Sequence, residues 1–396
     1  MRLFFSFLVT IFLFNPGIAQ ERYVVMVSMD GFRWDYSSLY HTPNLDKIAK
    51  KGVKANSLIP SFPSVTFPNH YSIATGLYPD HHGLVANNFY DSTLRLSYAI
   101  NNRKMVEDKR FYSGEPIWNT AGRQGLKTAS YFWVGSETPV NDMQPTYWKK
   151  YDGKVKYESR IDTVAKWLSL PEKDRPRLVL LYFSEPDHTG HTYGPNSPNT
   201  KKVVENLDSL VGVLTKKLRK TPVAKNIDLI IVSDHGMGPI EASKNIVIDQ
   251  YISKNWCKQI EGYNPIYTIL PEVGYEDSIL LNLKKVEHLQ IWRKAEVPQY
   301  LNYGTNPRIF PLVVLADSSY SLTWSFKKTE KGGAHGYDIR NTDMHGIFYA
   351  VGPDFKKRYQ QSSFQNIHIY NLIARLLNIN PATNDGDIKV TEQMLK

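Results

Sequence analysis

Short runs of apolar, β-branched residues alternate along this chain with longer segments whose apolar positions recur at helical spacing. Tyr23 to Met29 (YVVMVSM), Lys127 to Trp133 (KTASYFW), Arg177 to Ser184 (RLVLLYFS) and Asp228 to Ser233 (DLIIVS) read as strands, the continuous apolar runs among them as strands buried on both faces. Thr42 to Gly52, with Pro near its start and Gly after its end, reads as a short helix. Helices are also expected over Glu115 to Gly122, Glu158 to Leu168 and Asn199 to Arg219; in the last, Val203, Val204, Leu207, Leu210, Val211 and Leu214 share one face. Val53 to Ile59 is predicted as a strand that delivers a loop carrying Thr66, followed by a helix that Asn69 can cap. Ile347 to Val351 is expected as a last strand and His368 to Leu377 as a closing helix. Strand, helix and strand in alternation predict an α/β fold: a mainly parallel central sheet flanked by helices on both faces.

From about 240 to 331 the regularity fades, apart from SILLNL and FPLVVLA, and a small inserted subdomain is expected there within one catalytic domain of residues 20–396. A chain of 396 residues can build a large core without staples, and its single cysteine, Cys257, rules out an internal disulfide framework. Met1 to Ala19 has a basic start, an apolar run, a Pro-Gly break and a small residue before Gln20, the pattern of a signal peptide. No second long apolar stretch follows, so no stable membrane span is expected; export in a bacterium, to the periplasm or beyond, is the expected localisation. The formal charge of +10 comes from scattered Lys and Arg without the aromatic interleaving of a nucleic-acid module. No specific nucleic-acid partner is expected, and at most the charge favours encounter with anionic small molecules.

Candidate chemistry changes this picture most. Ser61 to Asp91 presents Thr66 at a loop-to-helix junction, where a hydroxyl is exposed and the following N–H groups face the anion it attacks. Asp30 ends a predicted strand in VSMDG, Asp187 and His191 stand four apart in SEPDHTGH, Asp234 and His235 are adjacent in VSDHG, and His335 lies in GGAHGYD. Carboxylates and imidazoles gathered at strand-to-loop junctions are costly to assemble unless a cation neutralises them, and mixed Asp and His ligands favour zinc over magnesium or calcium.

Together with TFPNHYSIATGLYP after Thr66, these fragments resemble, in order, the nucleotide pyrophosphatase/phosphodiesterase family of the alkaline phosphatase superfamily. The resemblance implies two Zn2+ ions, one held by Asp187, His191 and His335 and the other by Asp30, Thr66, Asp234 and His235. Two metals so placed clamp the attacking and leaving oxygens of an in-line displacement, with Thr66 as a nucleophile that becomes a covalent phospho-threonine. Asn87 matches the side chain that donates to a non-bridging phosphate oxygen, with the Phe67 N–H as its companion. Phe67, Trp133, Tyr151 and Tyr182 match the aromatic positions that sandwich a nucleobase or line the leaving-group pocket. His70, His81, His82, His188 and His345 match no ligand position, and packing or surface roles are expected for them.

The nucleophile's neighbours are Val65 and Phe67, with no cation of the kind a monoester dianion requires, which favours a diester. The leading expectation is a small-molecule nucleotide substrate cleaved at a phosphodiester or pyrophosphate bond to a nucleoside 5′-monophosphate. Two alternatives stand beside it: a phosphodiesterase for choline or glycerol phospholipid head groups, and a non-catalytic binding protein of the same fold. A sulfatase is disfavoured because no Cys/Ser-x-Pro-x-Arg segment occupies the Thr66 position.

Overall fold

In the computed structural model, which describes residues 21–325 and 332–396, Tyr23–Met29 (β1) lies at the heart of the molecule, every residue buried. The expected signal peptide, Met1 to Ala19, lies outside the described residues. Along β1, Val24 and Met26 face one apolar core while Val25 and Val27 face another, the two-residue period of a strand covered on both sides. Neighbouring strands repeat the alternation and build an eight-stranded sheet.

Elements that follow it include, in chain order, α1 (Pro43–Lys51), β2 (Val53–Ala55), α2 (Thr66–Thr75), β3 (Thr128–Tyr131), β4 (Tyr147–Lys149) and α3 (Tyr157–Trp167). They continue with β5 (Leu178–Phe183), α4 (Asp187–Tyr193), α5 (Pro198–Leu218), β6 (Ile227–Val232) and β7 (Gly238–Ile240). Five adjacent strands, β6-β1-β5-β3-β4, form one side of the sheet and are all parallel. Helix α2 packs on the face that receives Val24 and Met26; α1, α3 and α5 cover the other.

A second, four-stranded antiparallel sheet comes next: β8 (Cys257–Tyr263), β9 (Ile266–Pro271), β10 (Leu289–Arg293) and β11 (Leu312–Ala316), with helix α6 (Glu276–Leu283) between β9 and β10. SILLNL, one of the two ordered stretches foreseen here, is thus helical, whereas FPLVVLA holds a strand. The chain then returns through β12 (Gly332–Ala334), which pairs with β7, to β13 (Phe348–Val351), β14 (Tyr359–Gln361) and α7 (His368–Leu377). Strand β13 lies between β6 and β2 and runs against both, so the central sheet is parallel except for this strand.

Three expectations need correction. Val53 to Ile59 is not one strand: it splits into β2 and a separate two-residue strand, Leu58–Ile59. Ile347 to Val351 does not supply the last strand, since β14 follows it. Asn69 does not cap α2, which begins at Thr66 after an extended Val65. Instead Asn69 is fully buried inside the first turn, where its Oδ1 accepts from Ser61 N (2.7 Å) and its Nδ2 donates to Pro63 O and Val65 O. It fastens the loop ahead of Thr66 rather than satisfying the helix end behind it.

Candidate active site

The carboxyl ends of β1, β5 and β6 open onto one rim of the sheet, where open α/β sheets bind ligands. Asp30 follows β1, Asp187 begins α4 after β5, and Asp234 with His235 follows β6. Two of these turns are tied through the main chain: Asp187 N donates to Asp30 O (3.0 Å). Gly31 makes that approach possible; its φ is +68°, and a Cβ there would stand 2.9 Å from Asp187 Cα. Its N–H in turn donates to Asp234 Oδ1 (3.1 Å), joining the third turn.

Helix α2 brings Thr66 to this rim. Its Oγ1 lies 3.2 Å from His235 Nε2. His235 Nε2 is 3.1 Å from Asp234 Oδ2 and 3.5 Å from Asp30 Oδ1. On the other side, His191 Nε2 and His335 Nε2 are 3.0 Å apart, and each is 3.4 Å from Asp187 Oδ1. The ligand atoms of Asp187, His191 and His335 fall within 4.8 Å of one another, as do those of Asp30, Asp187 and His235. The seven residues expected at two adjacent metals therefore converge, although Asp30 to His335 spans nearly the whole described chain.

The donor set fits cations on two counts. First, His191, His235 and His335 each place Nδ1 2.8–2.9 Å from a backbone carbonyl, of Gly333, Gly236 and Ser64 respectively. A carbonyl only accepts, so Nδ1 carries the proton and Nε2 turns a bare lone pair inward. Second, Asp30 Oδ1, Asp187 Oδ1 and Asp234 Oδ2 are buried without a hydrogen-bond partner. Unpaired carboxylate oxygens facing imidazole lone pairs are strained electrostatically until positive charge enters.

The titration behaviour carries the same mark. Burial, then the Asp234 and Asp187 carboxylates, push Asp30 well above the usual carboxylate range. Burial also works to raise Asp234, but His235, His70 and the Gly31 N–H outweigh it and hold that carboxyl low. Burial, with His235 and His191 nearby, drives His335 well below the usual imidazole range.

Beside Thr66 a cavity of about 360 Å³ is walled by Phe67, Tyr151, Tyr182 and Phe132, with Asp30 and Asp187 also in its lining. Tyr182 faces it but also donates its hydroxyl to Asp30 Oδ2 (2.5 Å), so the ring expected to sandwich a base or line the pocket orients the Asp30 carboxylate as well. Trp133 is corrected: it is fully buried in the core behind the pocket, its Nε1 donating to His70 O (3.0 Å). Phe132, at φ +74°, interrupts the alternation after β3 and presents its own ring and Val134 to the cavity. The Phe67 N–H is also not a free companion to Asn87; it donates to Asn87 Oδ1 (3.0 Å), which fixes that side chain and leaves Nδ2 as the donor on offer.

Two contributions escaped the sequence reading. His70 is buried against Asp234, its Nδ1 2.9 Å from Thr66 O and 3.3 Å from Asp234 Oδ2, and its Nε2 2.8 Å from Ser28 Oγ. It stands four residues after Thr66, one helical turn along the same face, a spacing that could have disclosed it. Arg103 and Glu137 form an ion pair on the cavity wall, where burial raises the Glu137 carboxyl. Nothing in their surroundings in the sequence marks either.

An α/β protein with a hydroxyl at a helix start and interlocking carboxylate–imidazole clusters belongs to the class that works on phosphoryl or related esters with metal assistance. Residues 24–338 match the family model described as type I phosphodiesterase/nucleotide pyrophosphatase, and the chain belongs to that family, within the alkaline phosphatase superfamily. It is 36% identical over 392 residues to a venom phosphodiesterase of Crotalus durissus collilineatus, covering 96% of this chain and 47% of that protein. It is 35% identical to ectonucleotide pyrophosphatase/phosphodiesterase family member 7 of Mus musculus, covering 96% and 88%. The chain spans about half the length of the venom enzymes it matches. A solved murine ectonucleotide pyrophosphatase/phosphodiesterase 5, an inactive threonine-to-alanine form in complex with AMP, superposes with a TM-score of 0.91 at 33% identity, covering 95% of this chain and 100% of that one.

Proposed function

We propose that this protein hydrolyses nucleotide phosphodiester or pyrophosphate bonds, releasing a nucleoside 5′-monophosphate through a covalent phospho-threonine at Thr66. The observation that carries the reading is the convergence of unpartnered Asp oxygens and inward-facing histidine Nε2 atoms within reach of the Thr66 hydroxyl, beside an aromatic-walled cavity. Asp187, His191 and His335 would hold one Zn2+, and Asp30, Thr66, Asp234 and His235 the other. When bound, the pair supplies positive charge that lowers the pKa of the Thr66 hydroxyl and stabilises negative charge on the reacting oxygens.

The chain's own groups do the rest. Thr66 Oγ attacks phosphorus opposite the bond to the leaving oxygen; the Oγ–P bond forms as that bond breaks. Water then cleaves the Thr66 ester, restoring the hydroxyl and freeing the monophosphate. Asn87, held by the Phe67 N–H, offers Nδ2 to a non-bridging oxygen. Phe67 and Tyr151 supply ring faces for a base without reading its identity.

Residues 240–331 are read as a subdomain inserted into the catalytic domain of residues 20–396, supported by the separate sheet β8–β11. Extracellular action, after removal of Met1 to Ala19, is in keeping with relatives named ectonucleotide or venom enzymes; no helix among the described residues is long and apolar enough to cross a membrane.

The test is turnover of the nitrophenyl ester of thymidine 5′-monophosphate, nitrophenyl phosphate and nitrophenyl phosphorylcholine, with and without chelator. The thymidine diester should be preferred, chelator should stop it, and Thr66→Ala should abolish it with the melting curve unchanged. Preference for the monoester or for phosphorylcholine, or indifference to chelator, overturns the reading.

A further inference from the structure

The two rings offered to a base stand on supports of unequal strength. Phe67 belongs to α2 and packs on the apolar core. Tyr151 follows β4, which is the last strand at its end of the sheet and pairs with β3 over three residues. So short an edge strand lies at the low-stability end of a fold, and the loop beyond it needs further fastening to hold a ring still. The ring itself makes only glancing contacts with its neighbours, Phe132 edge-on at 5.1 Å between centroids and Tyr182 tilted at 6.4 Å.

The fastening is electrostatic. The Tyr151 N–H donates to the Glu137 carboxylate, and the residue before it, Lys150, places Nζ 2.8 Å from Glu107 Oε1. Both carboxylates converge on one guanidinium: Arg103 Nη2 donates to Glu107 Oε1 (3.1 Å) and to Glu137 Oε2. Two cations and two carboxylates thus alternate in a neutral chain, Lys150–Glu107–Arg103–Glu137, whose two ends both grip the Tyr151 loop. An isolated exposed pair contributes little, because water and salt screen it. Here the Glu137 side chain is only 8% exposed, so its charge depends on the donors that Arg103 and Tyr151 bring to it.

Arg103 begins a four-residue helical turn, Arg103–Val106, and also lines the cavity, with its Nε buried and unpartnered among the described residues. Two roles are open to it: direct contact with a substrate, or control of the ring through the loop. The connectivity favours the second, because both carboxylates it pairs lead to adjacent residues of one loop. We propose that Arg103 is a positioning residue that sets the Tyr151 ring in place and thereby the affinity for the base-bearing half of the substrate. The proposal rests on the phosphodiesterase reading above.

The experiment is a double-mutant cycle on the full chain, with Arg103→Gln, Tyr151→Ala and the two together, reading kcat and KM on the nitrophenyl ester of thymidine 5′-monophosphate. Tyr151→Ala should raise KM about ten-fold, the scale of one lost base–aromatic stacking contact, and Arg103→Gln about five-fold. The double variant should match Tyr151→Ala within about two-fold, with kcat held within about two-fold throughout, because a latch has no effect once the ring it holds is gone. Effects that multiply to about fifty-fold, an unchanged KM in Arg103→Gln, or a loss carried by kcat overturn the proposal. Should Arg103→Gln fail to fold, Glu107→Gln, which breaks only the outer links, takes its place. It should raise KM about three-fold in the unmodified protein and not at all in the Tyr151→Ala background; an equal rise in both, or none in either, overturns the proposal. No turnover of the ester by the unmodified chain, or turnover that survives Thr66→Ala, overturns the parent reading and the proposal with it.

Discussion

Tyr182→Phe separates two roles that one ring performs. The substitution keeps the aromatic face lining the cavity and removes only the hydroxyl that donates to Asp30 Oδ2 at 2.5 Å. That bond is buried, its acceptor is a carboxylate, and the other oxygen of Asp30 has no partner, so the phenol is the chief device holding this ligand in place. A hydrogen bond to a charged group contributes about 1.5–3 kcal/mol, and loss of a group supporting a metal ligand lowers metal affinity or activity about 10–100-fold. Competition between the protein and a chelator of known affinity should therefore show metal binding weakened by about one to two orders of magnitude on that scale. At saturating metal, KM for the nitrophenyl ester of thymidine 5′-monophosphate should stay near that of the unmodified protein. Unchanged metal affinity combined with a raised KM would refute the reasoning and assign Tyr182 to substrate alone.

Two more predictions concern the frame. Asp228, buried beside Asp354 with one oxygen unpartnered, titrates at about 7, raised by burial and then by the Asp354 carboxylate. Its folded-state value lies above the unfolded one, so the stability it confers is complete below about pH 4 and is lost as pH rises through about 7. Asp228→Asn should then raise the melting temperature at pH 8 and leave it nearly unchanged at pH 4, measured by thermal scans; an equal shift at both would count against this. Asn69→Ala strips the acceptor of Ser61 N and Asn366 Nδ2 and the donor to Pro63 O and Val65 O. At about 1–3 kcal/mol for each buried group left unpaired, the loss should be about 3 kcal/mol or more in denaturant unfolding, and a change under about 0.5 kcal/mol would contradict it.

The central strands and the carboxylate and imidazole groups that gather at the rim were legible in the sequence because both have short-range signatures. Buried parallel strands are continuous apolar runs; Asp30 follows one directly, Asp234 lies two residues past another and Asp187 four past a third. The aromatic wall was only partly legible. Whether Phe132 or Trp133 faces the cavity depends on a single positive φ after β3, a backbone turn that no apolar pattern encodes. Asn69 looked like a cap because Asn commonly is one; the loop it binds lies ahead of it, and only the fold shows how far back it reaches. The direction of β13 was illegible for a similar reason: its apolar run is the same whichever way it enters the sheet. The Arg103–Glu137 pair depends on segments that meet only in three dimensions.

The main-chain bond from Asp187 N to Asp30 O joins two ligand-bearing turns without involving either side chain. Geometry and chemistry are thereby uncoupled: the scaffold keeps its spacing while the groups mounted on it are exchanged. Replacing the Asp30 or Asp187 side chain removes neither partner of this bond, so the spacing of the two turns does not depend on the groups they carry.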